Sequence, residues 1–65
     1  MESLGDLADE VSVLEERVAD AIFETVRAQL RADDADGAKE MERRLARVRR
    51  SLQKAEMLLR GANED

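Results

Sequence analysis

A chain of 65 residues holds one small domain, whose single core supplies no more than about 3–5 kcal/mol unless staples or self-association add to it. The absence of Cys and His excludes disulfides, thiolate zinc sites and the commonest general base, and Phe23 as sole aromatic excludes a base-stacking platform. A formal charge of −5 opposes general affinity for nucleic acid or anionic lipid, while 42% charged residues without Pro is the composition of long helices.

The N-terminus, Met1 to Asp6, is acidic and lacks the basic and apolar regions of a signal peptide. No apolar run approaches the roughly 20 residues of a membrane span, so a cytoplasmic placement away from membranes is expected. The first helix is predicted over about 3–32. Ser3 can cap it with Asp6 at the N3 position, or Asp6 can cap it with Asp9 there. Its apolar stripe reads Leu4, Leu7, Val11, Leu14, Val18, Ile22, Val26 and Leu30. After Val18 every step is four residues, so the stripe drifts around a straight helix and predicts a splayed contact toward the turn.

The turn is predicted over 33–37, Asp33-Asp34-Ala35-Asp36-Gly37, with Asp36 capping the second helix. Aligned on Gly37 as a calcium loop, this segment has Ala32 and Arg43 where the first and twelfth ligands belong. No metal is expected. The second helix is predicted over about 38–61, with the tail 62–65 fraying. Ala38, Met41, Leu45, Val48, Leu52, Ala55, Leu59 and Ala62 alternate steps of three and four, the spacing of a coiled-coil seam. Gly61 supplies the stop.

A short turn makes the two helices antiparallel, so residues 1–65 are expected to form one all-α domain, an antiparallel coiled-coil-like hairpin. Folding about the turn places Leu30 near Ala38, Ile22 near Leu45, Val18 near Val48 or Arg49, and Leu7 near Leu59 or Leu58. Such a hairpin has little core, and its remedy is dimerisation into a four-helix bundle.

Apolar residues off the seams mark the expected interface. Val13, Met57 and Leu58 are expected to cluster at the end away from the turn, and Phe23 to flank the first stripe. Residues 1–38 carry a net charge of −8 and residues 39–60 a net charge of +5. Arg43, Arg47 and Arg50, on the outer face of the second helix, are therefore read as electrostatic guides to a partner.

Catalysis is not expected, since Glu15 and Glu16 are adjacent, point apart and make no acid/base pair. No cofactor is implied. The expected function is a non-enzymatic protein–protein interaction or oligomerisation module, a homodimer or higher homo-oligomer, or a module that docks on another helical protein. The alternative is a small nucleic-acid-associated regulator, because residues 43–50 hold five Arg that can contact phosphates. The acidic first helix and the apolar seam positions Leu45 and Val48 oppose that alternative.

Overall fold

A computed structural model describes residues 3–31 and 35–61. They form two α-helices, α1 over Leu4–Arg31 and α2 over Ala35–Leu59, packed side by side. Asp9 near the start of α1 meets Arg60 just past the end of α2, and Gln29 near the end of α1 meets Glu42 near the start of α2. The chain is therefore an antiparallel helical hairpin. Its extents are 45 × 27 × 12 Å, and the shortest is the diameter of one helix.

Ser3 begins α1. Its Oγ accepts the Asp6 N–H at 3.0 Å, its own N–H donates to Asp6 Oδ2 at 3.3 Å, and its carbonyl accepts the Leu7 N–H at 3.1 Å. This reciprocal pair decides between the two predicted caps, with Asp6 in the place usually held by Glu or Gln. Ser3→Ala is expected to lower stability by about 1 kcal/mol, whereas Ser3→Asp keeps an acceptor and loses far less. Thermal unfolding followed by circular dichroism checks this, and equal losses in the two variants would refute it.

The start of α2 differs from expectation. The helix opens at Ala35, so Asp36 lies within its first turn rather than at the cap, and Gly37 is helical. The carboxylate there still favours the positive end of the helix dipole. The apolar pattern begins only at Ala38, because the first turn of α2 puts no large apolar residue against α1. Of the predicted turn, residues 33–34 lie outside the described residues, as does Ala62 of the predicted seam. At the other end Gly61 takes φ +79°, and its N–H donates to the Leu58 carbonyl at 3.2 Å, which closes α2 as expected.

The line of contact is not the predicted stripe. On α1 the residues turned toward α2 are Ala8, Val11, Glu15, Val18, Ile22, Thr25 and Gln29, all buried or half-buried. Their steps alternate three and four throughout, so the contact does not drift after Val18. On α2 the matching line runs through Ala38, Glu42, Leu45, Leu52, Glu56 and Leu59. Three polar residues of α1 sit on this line, which hid its regularity. Thr25, buried, donates its hydroxyl to the Ile22 carbonyl at 2.7 Å and so leaves no unsatisfied group.

The register also moves. The pairs made, Gln29 with Glu42 and Glu15 with Glu56, are offset by about one helical turn from those given by folding about the turn. Helical side chains lean toward the N-terminus of their own helix. In an antiparallel pair both leans shift the contacting residues to higher numbers.

Candidate protein-interaction surface

Helical geometry converts the burial pattern into directions. At 100° per residue the predicted α2 stripe is centred about 45° to one side of the observed line of contact, whereas the predicted α1 stripe crosses that line, from the side of Leu7 and Leu14 to the side of Val26 and Leu30. The Leu7–Leu14 part of α1 and the displaced part of α2 lie on the same side of the hairpin. There, Leu7, Leu14, Ala21 and Ala28 form a row on α1 at seven-residue steps, and Met41, Val48 and Ala55 form a row on α2. In an antiparallel pair these rows flank the same edge of the seam. Both are uncharged throughout. Their large members are open to solvent, Leu14 at 44%, Met41 at 55% and Val48 at 41%.

Where Ala21, Ala28 and Ala38 face one another, the surface sinks into an open recess of about 760 Å³ reaching Met41 and Leu45. Glu24 and Arg31 stand at its edge. The opposite flank is mixed: Ala19, Val26 and Phe23 share it with Arg49, and Lys39 and Gln53 are exposed along α2. The first flank is therefore the continuous apolar surface among the described residues.

The expected interface residues do not assemble into one patch. Val13 points away from α2, between the inward Val11 and Val18, and is separated from Met57 and Leu58 by the body of α1. The expected cluster of these three is thus not formed. Phe23, 67% exposed, stands on the mixed flank, and Leu58 stands at the edge of the apolar flank, next to the row of Ala55. Arg43, Arg47 and Arg50 are exposed on the outer side of α2, and Arg43 makes only a 3.9 Å contact with Glu40 on its own helix. Leu7, Leu14, Met41 and Val48 have the spacing of seam residues but stand beside the seam, a difference that spacing alone does not show.

No family model matches the chain, and no curated protein or solved structure does either.

The hairpin also brings together two acids far apart in sequence. Glu15 does not pair with Glu16 but meets Glu56 across the seam. Their hydrogen bond, burial and mutual repulsion hold the Glu15 carboxyl above the ordinary carboxylate range, against the pull of Arg49 and Arg60. The same hydrogen bond, with Arg60 beside it, holds Glu56 below that range. Glu15 Oε2 is itself buried without a hydrogen-bond partner. Arg60 closes the cluster, bonding Glu56 Oε2 at 2.8 Å and Asp9 Oδ1 at 3.1 Å. These groups form a polar layer in the seam. Among the described residues no three potential ligands cluster to hold a metal, and no helix is long and apolar enough to cross a membrane.

Proposed function

We propose that this chain is a non-enzymatic oligomerisation module that works through its uncharged flank, with a second copy completing a four-helix bundle. The observation that carries this reading is the continuous uncharged flank, on which Leu7, Leu14, Ala21 and Ala28 of α1 stand beside Met41, Val48 and Ala55 of α2. A self-sufficient two-helix coiled coil needs apolar residues only on the line facing its partner helix. Here Leu14, Met41 and Val48 stand together on one open side, the direction of the centre of a bundle with a second layer. A hairpin one helix thick has no interior, and stable domains bury their apolar faces between layers.

The test is mass in solution. Light scattering at micromolar concentration is expected to give a dimer. Met41→Glu, on the uncharged flank, is expected to weaken association by about a hundredfold or more, whereas Val13→Glu on the outer face of α1 leaves it unchanged. A wild-type monomer, or equal effects of the two substitutions, would overturn the reading.

A further inference from the structure

The charges bordering the uncharged flank specify how the second copy lies on it. Along the outer edge of the α1 row run Glu10, Arg17, Glu24 and Arg31, again at seven-residue steps. Acid and base alternate, so reversing the helix turns the pattern into its own complement. Glu10 then faces Arg31 of a second copy, and Arg17 faces Glu24 of that copy. Laid parallel, each residue would meet its own like charge. We infer that the hairpin dimerises about a two-fold axis perpendicular to its helices, with α1 antiparallel on α1 of the second copy and α2 antiparallel on α2. The inference rests on the uncharged flank being a self-association surface.

Three further observations fit one such axis. The register of the hairpin sets Ala21 of α1 level with Val48 of α2, and these are the middle positions of the two rows. An axis passing between them carries Leu14 onto the small Ala28 of the second copy, and Met41 onto its small Ala55. The recess beside Ala28 is thus placed to receive the Leu14 side chain. The area also fits. The chain exposes 5321 Å², against about 4,200 Å² for a compact folded chain of 7.3 kDa. The excess of about 1,100 Å² is the scale that one partner buries in a standard interface, about 800 Å².

The rival arrangement sets α1 on α2 of the second copy. It pairs Glu24 with Arg44 but sets Arg17 against Ser51, so the alternation of charge along α1 meets no matching alternation on α2. Glu24 does contact Arg27 on its own helix at 3.2 Å, but both side chains are about two-thirds exposed and free to exchange partners.

Cross-linking decides between them, because the chain has no natural cysteine. Ala21→Cys alone is expected to give a disulfide-linked dimer under mild oxidation, as is Val48→Cys alone, since each residue meets its own copy near the axis. Linking only when the two variants are mixed would overturn the inference in favour of the rival. Charge exchange gives a second reading. Arg17→Glu should weaken association roughly tenfold, and Arg17→Glu with Glu24→Arg should restore it, whereas in the rival the added Glu24→Arg sets two Arg together and weakens it further. A dimeric mass with neither cross-link nor rescue would sink the two-fold geometry and leave the self-association reading standing. A monomeric mass would sink both.

Discussion

Val18→Asp is expected to unfold the hairpin. Val18 is the larger of the two buried apolar residues and sits midway along α1, 9% exposed. An unpaired carboxylate at that place costs several kcal/mol, while the whole core of such a chain supplies about 3–5 kcal/mol. The helical signal in circular dichroism should therefore collapse at 25 °C. Val13→Asp makes the same chemical change on the outer face of α1 and should stay within about 0.5 kcal/mol of wild type. Equal signals from the two variants would mean that the seam does not run through Val18.

The second large effect is a dependence on pH that Glu15→Gln removes. Glu15 titrates above the ordinary carboxylate range in the hairpin. The stability it contributes is complete below its unfolded pKa and is lost as pH rises through the raised value. Glu56 is displaced the other way, so its contribution is present above the unfolded value and lost as pH falls through the depressed one. The pair is thus most favourable in a window that brackets the ordinary carboxylate pKa, where one proton is shared, and destabilises the hairpin as that proton leaves. Melting temperature should fall from mildly acidic pH toward pH 8. Glu15→Gln can still donate an amide N–H to Glu56 but has no proton to lose, so it should melt a few degrees higher than wild type at pH 8 and match it near pH 5. A difference independent of pH would show that the two carboxyls do not share a proton.

The acid pair also marks how far the residues could be read in one dimension. Glu15 and Glu56 are 41 positions apart, and nothing in their neighbours distinguishes them from the exposed Glu16. Only the register brings them together, and that register depends on side chains leaning toward opposite ends of the hairpin. The seam was legible in part for a related reason. Each helix carries an apolar band wider than a coiled-coil line, and spacing alone does not say which of its residues touch a neighbour. Leu7, Leu14, Met41 and Val48 have the spacing of a seam and stand beside it.

Composition and local chemistry by themselves determined two helices and the end of the second, while the start of α2 lies three residues ahead of the expected one. The Ser3 cap with Asp6, the missing Pro, and Gly61 at positive φ act within a few residues of chain, where bond geometry decides. The antiparallel hairpin follows as well, because a short connection allows little else. Tertiary structure alone decided which side of each apolar band meets the other helix and which is left open. That choice turns on which residues of a wide band face the neighbour, a matter of rotation about the helix axis, and it alters no local hydrogen bond. It is set by what packs between two backbones: Ala8, Val18 and Thr25 lie inside, and the bulkier Leu14 and Met41 are left on the open flank.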